Sequence, residues 1–272
     1  MLLPSCDIIE LPDTASLAFR EDLYGTPAQP PAISDMIQRV LLEDFTGHQC
    51  GNCPEAHIVA AEILDAHPEH IALVAIHAGS LAGVFGPYTS DWTTPEGEFY
   101  LFSQIGSDQL PTGRINRVGG ANSSSNFAQW QTQVTEQLAE IPQADLAIST
   151  ELETENNHVN VHIRTKYGVA RTGNIKLTLM FAEGPIIAPQ LNYDADPELI
   201  TDYEHKHMLR GTGTGATGLV VASNPTTNQE DVIHYTLPWN PTWDPQNFEL
   251  IGFLTDGESG EVINVRKIDL VP

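Results

Sequence analysis

Two cysteines three positions apart, in Cys50-Gly51-Asn52-Cys53, are the residues best placed to do chemistry. A two-residue gap serves thiol–disulfide exchange or one half of a four-ligand zinc site. Structural zinc takes four Cys or His ligands, usually from two such knuckles. The only other cysteine is Cys6, and His48 and His57 stand at irregular spacing, so redox chemistry is the expectation. The reactive form is the thiolate, and a helix N-terminus lowers a thiol's pKa through its unpaired N–H groups and positive dipole end. Cys50 is the candidate attacking thiol. Cys53 is the resolving one, near enough to displace a mixed disulfide. His48, two residues upstream, would stabilise the thiolate as an imidazolium; the alternative is a solvated loop histidine. Glu43 and Asp44 are candidate acid–base partners, or else carboxylates at a strand end on the surface. Gly51 is expected to give the tight loop its conformational freedom.

Other clusters are weaker. On one strand His205 and His207 would point the same way, with Glu204 beside them, which could seat a metal; no third or fourth ligand follows from the pattern. Asp194, Asp196 and Asp202 lack the twelve-residue calcium-loop spacing. Trp239 and Trp243, set among prolines, would form either an exposed aromatic patch or a loop packed onto its domain. Gly211-Thr212-Gly213-Thr214-Gly215 lacks the Lys-Ser/Thr of a phosphate loop. No cofactor is expected.

The elements that must hold the cysteine pair can be read on either side of it. Gln38–Phe45 is a short apolar run that reads as a buried strand. Pro54–His67 carries Ile58, Val59, Ile63 and Leu64 at helical spacing, and Pro68 stops it. Ile71–His77 is a continuous apolar run typical of a parallel, doubly covered strand. Together they make a β-α-β unit with the pair at its first strand-to-helix turn. Residues 79–95 read as an inserted loop, Phe99–Ile105 as a short helix, Gly113–Arg117 as a strand and Asn126–Ile141 as an amphipathic helix. Beyond a boundary near Ile141–Asp145 the pattern turns to period two. Strands are expected at Leu146–Leu152, His158–Arg164, Ile175–Ala182, Val232–Leu237, Phe248–Thr255 and Val262–Leu270. The organisation is thus an N-terminal tether (1–35), an α/β domain (36–143) and an all-β sandwich (144–272).

Composition narrows the function. The 272 residues carry 12 Lys+Arg against 36 Asp+Glu, a net charge of -24, which excludes nucleic acid as a partner and disfavours docking on anionic lipid. The acidity is spread along the chain: it gives a strongly solvated surface or an adaptation to high salt, where repulsion is screened. No stretch approaches the length of a membrane-spanning helix.

Two resemblances follow from the residues. Leu3-Pro4-Ser5-Cys6 is similar to the end of a bacterial lipoprotein signal, which implies membrane attachment through a lipidated Cys6. Pro4 and the brevity of the preceding stretch depart from that pattern. Cys50-Gly51-Asn52-Cys53 after a strand, with Leu110-Pro111-Thr112 much later, resembles a thioredoxin fold. There the proline before the third core strand is cis and lies beside the cysteine pair. That role falls to Pro111, with Thr112 following it. More narrowly, the chain resembles the outer-membrane protein 28-related family of lipoproteins. The blocks that carry this are 42–54 (LEDFTGHQCGNCP), 111–117 (PTGRINR) and 202–210 (DYEHKHMLR). The resemblance implies a thioredoxin-like N-terminal domain, a β-rich C-terminal domain and an envelope address, expected to be that of an outer-membrane lipoprotein; the alternating strands make the C-terminal domain an all-β, immunoglobulin-like sandwich. Gln49 stands where thioredoxins usually carry Trp, which weakens the case for a general reductase. Two functions stay open. One is thiol–disulfide exchange with a protein or peptide bearing a thiol or disulfide. The other is a binding or adhesion lipoprotein with a structural disulfide, recognition lying in the β-sandwich.

Overall fold

The computed structural model describes residues 17–271. In chain order it contains α1 (Glu21–Tyr24), β1 (Val40–Thr46), α2 (Cys53–Ala66), β2 (Ile71–His77), α3 (Pro95–Glu98), a π-helical segment (Phe99–Ile105), β3 (Thr112–Ile115), a 3-10 turn (Phe127–Gln129) and α4 (Trp130–Leu138). Ten strands follow: β4 (Ala144–Glu153), β5 (His158–Tyr167), β6 (Asn174–Glu183), β7 (Ile186–Leu191), β8 (Leu199–His205), β9 (Met208–Thr212), β10 (Leu219–Ser223), β11 (Glu230–Pro238), β12 (Phe248–Asp256) and β13 (Val262–Asp269). The chain is mixed α/β and mostly sheet. No helix among the described residues is long and apolar enough to cross a membrane.

Every residue of β1 and β2 is buried, as the unbroken apolar runs require of parallel strands covered on both faces. On one face, α2 and α4 bury Ala56, Ala60, Ile63, Trp130 and Val134 against Val40, Leu42, Ile71 and Leu73. These positions recur at helical spacing, so each helix presents one apolar stripe. Pro54 sits in the first turn of α2, where its missing N–H costs no hydrogen bond. On the other face, Leu41, Phe45, Val74 and Ile76 meet Tyr100 and Leu101 of the π-helical segment, and Ile251, Phe253 and Val265 from β12 and β13. β3 runs antiparallel to β1 after a cis Leu110–Pro111 bond. β1, α2 and β2 thus form the expected β-α-β unit, with β3 antiparallel on the free edge of β1.

The main sheet does not stop there. Its order is β13-β12-β6-β9-β2-β1-β3, with β10 also paired to β6. The junction is narrow: β9 meets β2 at Ala75 and Met208, and the Ala75 N–H donates to the His207 carbonyl at 2.7 Å. Strands from both sides of residue 143 therefore share one hydrogen-bonded sheet. A second, three-stranded sheet, β11-β5-β4, covers the C-terminal end of the first. Leu146, Ile148, Val161 and Ile163 there face Leu177, Leu179, Phe181, Leu250 and Leu254. Trp239 and Trp243 belong to that core, edge-on to each other and packed on Phe248, not to an exposed patch. The N-terminal segment also packs here: Leu17 is buried, Ala18 bridges to Tyr235, and Ile33 is buried near Lys166. Cys6 lies outside the described residues.

Candidate functional site

β1 ends at Thr46, and the loop 47–52 brings the chain to the start of α2. Cys50 and Cys53 are joined in a disulfide there, with Cα atoms 5.4 Å apart. Both are buried: Cys50 is 3% exposed and Cys53 0%. Two segments outside the β1-α2-β2 unit cover them. The first is the β7–β8 hairpin, which lies along the loop like an extra strand. The Leu191 N–H donates to the His48 carbonyl and the Tyr193 N–H to the Gly51 carbonyl, both at 2.9 Å. The buried Gln190 amide donates to the Cys50 carbonyl at 3.0 Å. The second is the loop before α3, whose Leu81 carbonyl accepts from the Gln49 N–H at 3.0 Å and whose Gly83 carbonyl accepts from His48 at 2.8 Å.

Gly47 and Gly51 make room for these neighbours. A Cβ on Gly47 would stand 2.5 Å from the Leu81 carbonyl oxygen, and one on Gly51 would stand 2.6 Å from the Tyr193 ring. Neither glycine has positive φ. The expectation that Gly51 serves loop freedom is thus corrected: close approach of Tyr193 is what excludes a side chain.

His48 is buried, stacks on Tyr88 with centroids 4.9 Å apart, and meets Trp92 edge-on. Burial lowers its pKa, and its Nε2–H is given to Gly83. The imidazolium expected to stabilise a thiolate is disfavoured here; the side chain is neither solvated nor readily charged. Thr112 pairs with Phe45 in the β1–β3 ladder, which sets cis Pro111 level with Thr46 at the mouth of the cysteine loop.

The acid–base question resolves on Asp44 and Glu43. Both are buried, not surface groups. Glu43 is committed: it receives Arg117 Nε at 3.0 Å and a second guanidinium nitrogen at 2.5 Å. Tyr100 and Phe253 rings stack against that guanidinium, and although burial opposes its charge, Glu43 and Tyr100 outweigh this and raise its pKa. Asp44 has no such cation. Its Oδ1 makes no hydrogen bond, and desolvation pushes its pKa up to about 8. Its nearest ionisable neighbour is His57 of α2, Nε2 to Oδ2 3.7 Å. His57 is hydrogen-bonded at Nε2 to Thr46 Oγ1 (2.8 Å) and at Nδ1 to the Tyr203 hydroxyl (2.7 Å), and burial lowers its pKa to about 3.

Asp44, His57, His77, Tyr203 and His205 line a cavity of about 380 Å³ between α2, β2 and β8. Burial lowers the His205 pKa to about 4 and that of His77 well below its ordinary value. His205 and His207 do not share a strand face. His205 closes β8 against Trp92 and His77, whereas His207 sits in the next turn at φ 54° and bonds Glu249 at 2.7 Å. Among the described residues no group of three His, Cys, Asp or Glu side chains is arranged to hold a metal ion. Sequence reasoning named Asp44 but missed Gln190, Tyr193, His77 and Tyr203. Asp44 had a usable signal, since a carboxylate inside an unbroken apolar strand run has no exposed face to occupy.

Comparison with known proteins bears on this geometry. Residues 100–271 match the family model described as outer membrane protein Omp28. Among solved structures, HBP35 of Porphyromonas gingivalis is similar at 16% identity and a TM-score of 0.64, over 87% of this chain and 76% of that one. A protein of Agrobacterium tumefaciens is similar at 11% identity and a TM-score of 0.54, over 87% of this chain and 96% of that one. At those identities the likeness is one of fold. No curated protein matches the chain. With more than half of its length matched, the chain belongs to the outer membrane protein Omp28 family of the bacterial cell envelope.

Proposed function

We propose that the protein is a cell-envelope thiol–disulfide oxidoreductase acting through Cys50 and Cys53. The observation that carries this is the disulfide at the β1–α2 turn together with the uncommitted, buried Asp44 six residues upstream. In the oxidising direction a substrate thiolate attacks Sγ of Cys50. The Cys50–Cys53 bond breaks, a mixed disulfide forms and Cys53 leaves as the thiolate. A second substrate thiolate attacks the substrate sulfur of that mixed disulfide and releases Cys50. The substrate loses two electrons, which reside in the Cys50/Cys53 dithiol. Asp44, protonated below about pH 8, supplies a proton to the departing Cys53 sulfur and is the base for the reverse reaction. Cis Pro111 and Thr112, at the mouth of the loop, would shape the peptide groove.

Cys50→Ser should abolish exchange, and undiminished turnover would sink the proposal. A second reading rests on the burial of both sulfurs: a structural disulfide in a binding or adhesion protein. Equilibrating the folded protein in glutathione buffers separates the two. A potential between about −120 and −270 mV fits exchange, and one below about −300 mV fits a staple.

The strand orders β4-β5-β11 and β13-β12-β6 follow the A-B-E and G-F-C orders of an immunoglobulin-like sandwich, which supports reading the C-terminal layers, 144–272, as that module. Lipidation of Cys6 completes the proposal. It predicts an acyl mass on that residue and loss of membrane association in Cys6→Ser.

A further inference from the structure

The covers over the disulfide carry an unusual surface. Leu81, Val84 and Phe85 from the loop before α3, and Tyr193 from the β7–β8 hairpin, are exposed, Phe85 at 74%. All four belong to segments that touch the loop 47–51. The ionic setting is one-sided. From Val40 through Gly113 the chain holds ten Asp or Glu and no Lys or Arg; from Leu177 through His205 it holds six and none. These two stretches contribute β1, α2, β2, the covering loop and the hairpin, none of which carries Lys or Arg; the nearest cation of β3, Arg114, is buried. Asp91 beside Trp92, Glu55 in the first turn of α2, and Asp194, Asp196 and Glu198 beyond Tyr193 are exposed carboxylates on this face. Elsewhere acids have partners, such as Arg171–Asp256 and Lys267–Glu249.

We propose that this rim docks an extended, cysteine-bearing polypeptide rich in apolar and basic residues. The apolar side chains supply contact area next to the disulfide. The surrounding carboxylates attract cationic segments and repel acidic ones. Neither anionic lipid nor nucleic acid fits such a face. The inference deepens the redox proposal by naming its substrate class, and it rests on that proposal only for the chemical step.

The test uses the full chain and two fluorescent ten-residue peptides. Each has Leu and Trp flanking a central Ser in place of Cys; one carries four Lys, the other four Glu. Binding is read by anisotropy, so it does not depend on exchange. At about 20 mM NaCl the Lys peptide should bind at least tenfold more tightly than the Glu peptide, and the ratio should shrink to about threefold or less near 500 mM, where the screening length is short. Phe85→Ser and, separately, Val84→Ser should weaken the Lys peptide about fivefold or more at both salts, while Val220→Ser on β10 leaves it unchanged. Equal affinity for the two peptides overturns the proposal. So does Lys-peptide binding that ignores both rim variants, since that would be diffuse attraction to an acidic protein. If the Cys-bearing Lys peptide forms no mixed disulfide although the Ser peptide binds as described, the redox reading fails and the docking surface stands.

Discussion

Replacing Asp44 by asparagine isolates the most perturbed carboxyl group of the site. In the unfolded chain an aspartate titrates near 3.9. In the fold desolvation holds Asp44 near 8. Between those values the folded protein keeps a proton that the unfolded chain has lost, so wild-type stability falls as pH rises, by about 1.4 kcal/mol per unit. Below about pH 4 both states are protonated and the effect vanishes; above about pH 8 both are ionised and it saturates at roughly 6 kcal/mol. The asparagine of the variant does not titrate. Its unpartnered amide adds a pH-independent offset, and the histidines contribute alike to both proteins. The stability of Asp44→Asn relative to wild type should therefore rise by about 4 kcal/mol between pH 5 and pH 9. Urea unfolding followed by tryptophan fluorescence reads it directly. A change smaller than about 1 kcal/mol over that range would refute the claim that Asp44 is held protonated by burial.

In the same Asp44→Asn background, stability should decline below about pH 6.5. His57 and His205, with folded pKa values of about 3 and 4, and His77, held well below its ordinary value by burial, stay neutral in the fold but take up protons when unfolded. Three such groups give a slope of about 4 kcal/mol per unit, measurable by the same unfolding series. Glu43→Gln removes one partner of a buried ion pair and should cost about 3–5 kcal/mol in urea, leaving Arg117 charged among Tyr100 and Phe253. Tyr193→Ala should speed reduction of Cys50–Cys53 by dithiothreitol on the order of tenfold, because local opening of the hairpin would no longer limit access; an unchanged rate would mean that the hairpin is not the barrier. Gly51→Ala should act in the same direction, its new methyl displacing the Tyr193 ring, at a stability cost of about 1–3 kcal/mol.

Much of the fold could be read from local pattern. The run Ile71–His77 and the helix after Pro54 coincide with β2 and α2 because each buries a face that its own neighbours in sequence define. Period-two alternation likewise marked β4, β5, β6, β11, β12 and β13. The segment 186–223 gave no such signal. Pro189 and Pro197 interrupt it, and its strands pair with partners that pattern cannot name: β7 with β8, and β9 with a β2 more than a hundred residues away. The site followed the same division. The cysteine pair was legible because its motif is local, whereas the cis Leu110–Pro111 bond, far along the chain, followed only from the resemblance to a thioredoxin fold. The covering Tyr193 and Gln190 were not, since nothing near them in sequence refers to residue 51. His48 shows a further limit: a loop position suggested solvent, yet Tyr88, Trp92 and Gly83 enclose it from another loop.

One sheet running through both halves of the chain determines how this molecule can move. Enzymes assembled from two separately cored bodies often open by hinging about a linker. Here β9 pairs with β6 and meets β2 at Ala75–Met208, and Phe45, Val74 and Ile76 share a core with Ile251, Phe253 and Val265, so a swing of one half against the other would break that shared core. Exposure of the sulfurs is left to pieces carried on the sheet's rim, the β7–β8 hairpin and the loop before α3. Reaching the buried sulfurs would require the hairpin, Ile186–His205, or that loop to lift while the scaffold stays still. A chain severed at residue 143 would leave β2 and β9 each with a bare edge, so the fragments should re-associate or aggregate instead of surviving apart.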